Sequence, residues 1–71
     1  MNAMDYAVII ESGPGNFSAY LPDLPGCIAT GDTEEEVLKN IRDAARFHIE
    51  GMRKGGETVP APTCKAFQVS L

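Results

Sequence analysis

Phe17-Ser18-Ala19-Tyr20-Leu21-Pro22-Asp23-Leu24-Pro25-Gly26-Cys27 is the run on which the fold turns. Its first five residues alternate. Phe17, Ala19 and Leu21 share one side and Ser18 and Tyr20 the other, the period of a β-strand. The next five break that ladder: Pro22 and Pro25 each remove a backbone donor, so a loop or bulged corner at a sheet edge is expected. Strand character resumes over Cys27 to Thr30.

Upstream of this run, Met1 to Met4 read as a frayed lead-in. Asp5 to Glu11 (Asp-Tyr-Ala-Val-Ile-Ile-Glu) is β-branched and aromatic, and reads as the first strand. Ser12-Gly13-Pro14-Gly15-Asn16 is turn chemistry, which joins the first two strands into a hairpin.

Downstream, Thr33-Glu34-Glu35-Glu36 is a capping box. The Thr33 hydroxyl can accept from the Glu36 amide while the Glu36 side chain reaches back to Thr33. Three glutamates suit the positive end of a helix dipole, and Arg53 and Lys54 suit the negative end. Gly55-Gly56 supply a left-handed cap, so a helix is expected from Glu34 to Lys54. At 100° per residue, Val37, Leu38, Ile41, Ala44, Ala45, His48, Ile49 and Met52 form one stripe that packs on the sheet. His48 within it reads as a core or rim residue rather than a catalyst.

Thr58-Val59-Pro60-Ala61-Pro62-Thr63 is too proline-rich for regular structure. Lys65 to Leu71 then sets Phe67, Val69 and Leu71 against Ala66, Gln68 and Ser70, which predicts a fourth strand with one buried face. The expected class is α/β (α+β) with order β-β-β-α-β: a three-stranded antiparallel meander and a fourth strand parallel to the first. The crossover is right-handed, the spatial order 3-2-1-4, and the helix covers one face. Residues 1–71 are expected to form one domain.

At 71 residues the chain is near the size at which a core buries only about 60% of the unfolded surface, so a staple or partner is expected. Cys27 and Cys64 are expected as reduced thiols, with a disulfide as the alternative; in the 3-2-1-4 order they fall on opposite edges, beyond bonding reach. One histidine and no Cys-x-x-Cys leave no recognisable zinc site, and no cofactor is expected. The longest apolar run, Ala7 to Ile10, is far too short for a membrane span, and no signal-peptide pattern is present, so a cytoplasmic location follows. A net charge of −4 and a pI near 4.7 speak against direct nucleic-acid binding and suit a basic protein partner.

No pair of carboxylates stands at catalytic spacing on separate strands. Ser18, Cys27 and His48 have nothing in their spacing that brings them together, and Gly13-Pro14-Gly15 is too short to cradle a phosphate. An enzyme is not expected. What remains is surface. Strand one is apolar on both sides (Tyr6, Val8 and Ile10; Ala7 and Ile9), and strand two sets Tyr20 opposite its buried residues. One helix covers one face, so the second face needs a second copy or a different protein. Phe47 lies outside the helix stripe near Gly51, a helical glycine that a close backbone approach would explain.

The run Phe17–Cys27 resembles the signature of the HicB family of antitoxins, as do Thr30-Gly31-Asp32-Thr33-x-Glu35-Glu36 and Phe47-His48-Ile49-Glu50-Gly51. Together they cover most of residues 6 to 62. The resemblance implies a partial ribonuclease-H-like fold and an antitoxin that covers the active site of HicA, a small basic toxin that cleaves messenger RNA with a histidine. The acidic cluster that a nuclease needs to hold two metals has no counterpart here. Many family members carry a C-terminal DNA-binding domain; this chain ends at Leu71, so autorepression by this chain alone is not expected. Pro25 and Gly26 read as a structural corner. Asp23 and Leu24 are the candidate partner contacts, with Tyr20 and Phe47 behind them. The alternative reading is a solitary HicB-like domain, a homodimer or tetramer without a cognate toxin.

Overall fold

The computed structural model describes residues 5–71; the lead-in Met1–Met4 lies outside the described residues. β1 (Ile9–Gly13) and β2 (Asn16–Tyr20) run antiparallel, with Ile9 opposite Tyr20 and Gly13 opposite Asn16. Pro14 and Gly15 alone make the turn. Proline fixes the first φ near −65° and Gly15 takes φ +83°, the pattern of a type II turn. The first strand therefore begins at Ile9 rather than Asp5 and runs to Gly13 rather than Glu11. Past Tyr20 its partner turns away at Pro22, which has no N–H to offer, so Asp5 to Val8 have no ladder to join.

The corner is two linked turns. The Leu24 amide donates to the Leu21 carbonyl (3.1 Å), and the Cys27 amide donates to the Leu24 carbonyl (3.1 Å). Each turn has proline second, and Gly26 takes φ +86° in the next place of the second turn. Both prolines thus sit where a missing donor costs nothing. This geometry aims Leu21, Leu24 and Cys27 into the core, exposed by 4%, 0% and 4%, while Pro22, Pro25 and Gly26 face out. β3 (Ile28–Gly31) follows and pairs antiparallel with β2, giving the order β1-β2-β3.

α1 spans Glu34–Lys54. The Glu36 amide donates to Thr33 Oγ1 (3.0 Å), while the Glu36 carboxylate accepts from the Asp32 amide (2.6 Å), one residue earlier than the expected Thr33. The other end is a Schellman cap. The Glu57 amide donates to the Met52 carbonyl, the Gly56 amide donates to the Arg53 carbonyl, and Gly56 alone takes positive φ, +76°. Asn40 Nδ2 donates to the Thr30 carbonyl (2.9 Å) and ties the helix to β3.

The helix lies over β2 and β3. Ala19 and Ala29 face each other beneath it, with Ile10 opposite Ala19. Small residues under a helix let it approach the sheet, and the core gathers there from Ala19, Leu21, Leu24, Cys27, Val37 and Ile41. At Gly31 the approach is closest: a Cβ there would stand 2.7 Å from the Val37 backbone nitrogen.

The architecture is mixed α+β, three antiparallel strands and one helix. The fourth strand expected over Lys65–Leu71 is absent among the described residues: the whole chain after Gly56 is without regular structure, and Phe67, Val69 and Leu71 are exposed. A strand needs a hydrogen-bonded neighbour as well as alternation. The segment is fixed instead at its base. Tyr6 Oη donates to the Pro60 carbonyl (2.5 Å), and the Asp23 carboxylate accepts from Thr63 and Cys64.

Candidate partner-binding surfaces

The side of the sheet away from the helix carries Ile9, Tyr20 and Ile28 in one cross-strand row, Ile9 paired with Tyr20 and Tyr20 with Ile28. The alternation that buries Ala19 forces Tyr20 outward. Tyr20 is 40% exposed and Ile28 64% exposed, and the adjacent row is the polar Glu11, Ser18 and Thr30. The patch is therefore an apolar band across all three strands, bounded on one side by hydroxyls and a carboxylate.

The charge of the chain divides along its length. No Lys or Arg precedes Lys39, whereas seven of the ten acidic residues do. Three of those seven, Glu34, Glu35 and Glu36, open the helix, which holds both signs of charge, while the strands carry Glu11 and no cation. Arg42, Arg46 and Arg53 rim a groove of about 770 Å³, floored in part by Val8, Ala45 and Ile49. It opens because the helix sits over β2 and β3 and leaves the inner side of β1 half covered.

Of the four candidate contacts, the structure buries one and ties another to the C-terminal segment. Leu24 is fully buried at the join of the two corner turns, so it anchors the core and is not on the surface. Asp23 accepts from the Thr63 amide (3.0 Å), the Thr63 hydroxyl (2.7 Å) and the Cys64 amide (3.1 Å), so its lone pairs are committed to the C-terminal segment. The Thr63 hydroxyl chiefly, then the Cys64 and Thr63 amides, hold its carboxyl below the usual carboxylate range. Tyr20 and Phe47 stand out to solvent on different surfaces, Phe47 at 80% exposure. Ile9 and Ile28 belong to the Tyr20 row. Strand alternation already placed Ile9 there, but Ile28 was hidden at the edge of an irregular corner.

Both cysteines are free, Cys27 buried and Cys64 exposed. Burial pushes the Cys27 thiol up, away from the reactive thiolate. They do not sit on opposite edge strands as expected, for Cys64 docks on Asp23, within the corner that Cys27 closes. His48 is half-buried in the helix stripe. Among the described residues no group of three or more His, Cys, Asp or Glu side chains converges to hold a metal, and no helix is long and apolar enough to cross a membrane.

Residues 6–69 match the model of a family described as the HicB-like antitoxin of bacterial toxin-antitoxin systems. A UPF0150 protein of Thermoplasma acidophilum is 37% identical over 67 residues, covering 93% of this chain and 97% of its own length. A UPF0150 protein of Synechocystis sp. is 37% identical over 57 residues, 79% of this chain and 72% of its own. An uncharacterized 14.9 kDa protein from the rep-hol intergenic region of Haemophilus phage HP1 is 40% identical over 57 residues. There the match spans 80% of this chain but only 43% of the phage protein. On a match that runs from β1's approach to the C-terminal segment, the chain belongs to the HicB-like antitoxin family.

Proposed function

We propose that this chain is the antitoxin of a type II system, and that it neutralises a small basic, messenger-RNA-cleaving toxin of the HicA type by docking it on the open face of the sheet. The observation that carries this reading is the Ile9–Tyr20–Ile28 row, an apolar band left uncovered on strands that carry Glu11 and no cation. An apolar centre with acidic surroundings matches what a basic partner needs: desolvated contact at the middle, favourable charge around it. The chain acts by occlusion and not by catalysis, in the cytoplasm, without contacting nucleic acid itself.

In the same reading, residues 65–71 supply a fourth strand parallel to β1, completing a partial ribonuclease-H-like sheet. Three features support this. Among the described residues β1 has no neighbour on its outer edge, the segment alternates, and Gln68 lines a small cavity with Val8, Ile10, Ser12, Phe17 and Glu34. A second reading, in which the same face is buried between copies of the chain in a homodimer or tetramer, draws on the same apolar row.

Growth rescue separates them. Co-expression of the chain with a HicA-type toxin is expected to restore growth and to co-purify the pair. Ile28→Ser with Tyr20→Ala is expected to abolish both while leaving the circular dichroism unchanged. Rescue that survives the double substitution would contradict docking on this face, and failure of the wild-type chain to rescue would contradict the antitoxin reading.

A further inference from the structure

The helix contains a glycine that nothing in its own chain requires. Gly51 lies inside α1, where glycine weakens a helix relative to alanine, yet a Cβ built there meets nothing within 4 Å. Phe47, one turn earlier on the same side, is 80% exposed. Ala44, half-buried, stands one turn before that. Residues three and four apart stack on a helix surface, so an exposed ring is set between two small residues. The groove with its arginine rim lies on the other flank, and the open face of the sheet is on the opposite side of the molecule.

We propose that this flank is a self-association surface, on which two copies pair their α1 helices antiparallel, the Phe47 ring of each seated over Gly51 of the other. A projecting ring and a vacant backbone position in one patch are complementary to themselves under a two-fold axis, the property an isologous contact needs. The charges select the direction. Setting Phe47 over Gly51 of the second copy brings Asp43 within one position of the second copy's Lys54, at both ends of the contact. A parallel pairing would set Asp43 against Asp43 and Lys54 against Lys54. Within one copy Asp43 pairs with Lys39, at 3.4 Å between exposed side chains, a pair weak enough to re-form elsewhere. A single helix pair falls below the roughly 1,200 Å² of a standard interface, in the size class of weak, reversible contacts. The proposal does not depend on the toxin reading.

Sedimentation velocity on the full chain, from about 5 to 500 µM, tests it. The wild-type protein is expected to show a reversible monomer–dimer equilibrium. Phe47→Ser and Gly51→Leu are each expected to weaken it at least about tenfold. A Cβ at Gly51 meets nothing within 4 Å, so Gly51→Leu separates lost docking from lost folding; circular dichroism checks this. Asp43→Lys is expected to weaken the dimer, and Asp43→Lys with Lys54→Asp to restore it, because only an antiparallel self-pair exchanges those two charges. Ile28→Ser, on the sheet, should change nothing. A protein that stays monomeric throughout overturns the proposal and leaves the toxin reading standing. It is equally overturned by a dimer indifferent to Phe47 and Gly51, by one lost with Ile28→Ser, or by a charge exchange that fails to restore association.

Discussion

A methyl group on Gly31 would stand 2.7 Å from the Val37 nitrogen and 3.0 Å from its Cα. Backbone at the start of a helix cannot give way as a side-chain tip can. Gly31→Ala is therefore expected to destabilise the fold by about 1–3 kcal/mol, the range of overpacking in a close-packed core; urea denaturation measures it, and an unchanged midpoint would show that the helix can move off β3. Asp23 makes a different kind of prediction. Its carboxyl is depressed by bonds to Thr63 and Cys64, so the stabilisation it brings is present above the ordinary carboxylate pKa and is lost as pH falls through its lowered folded value. Amide NMR shifts of Thr63 and Cys64 are expected to titrate together below about pH 4. In Asp23→Asn that acid transition should be absent. The sequence marked Asp23 as special without saying why, because a bond across 40 positions leaves no local trace.

At the scale of elements, the hairpin, the corner, the third strand and the helix with both caps were legible locally, since turn chemistry and capping act within a few residues. Register and ends were less so. β1 starts only at Ile9, because Pro22 takes its partner away beyond Tyr20, and Leu24 turns inward because two turns in series return every third residue to the core. Neither fact is visible in alternation alone. The segment from Lys65 to Leu71 has strand alternation but no ladder in the structure. Hydrogen exchange at its amides distinguishes the two descriptions. If it joins β1 when a toxin binds, the amides between Lys65 and Leu71 are expected to gain protection of at least about tenfold in the complex. Amides that exchange freely both with and without the toxin would leave β1 an open edge, with no fourth strand.

For the whole molecule, the helix can shelter only one side of three strands, and the other side keeps Ile9, Tyr20 and Ile28 in a row on a half of the chain that has no cation. That asymmetry makes the molecule two-sided, with an apolar sheet face that carries no cation and a helix that holds both signs of charge, acidic in its first turn and basic in its last. The second face was legible as apolar in the sequence, but how far it stays uncovered follows only from the placement of α1. Titration calorimetry of a HicA-type toxin against wild type, Ile28→Ser and Phe47→Ser is the most direct test of the sheet as the docking face. Ile28→Ser is expected to weaken binding by about 2 kcal/mol, roughly thirtyfold, with Phe47→Ser indistinguishable from wild type. Wild-type affinity in a folded Ile28→Ser protein would contradict it.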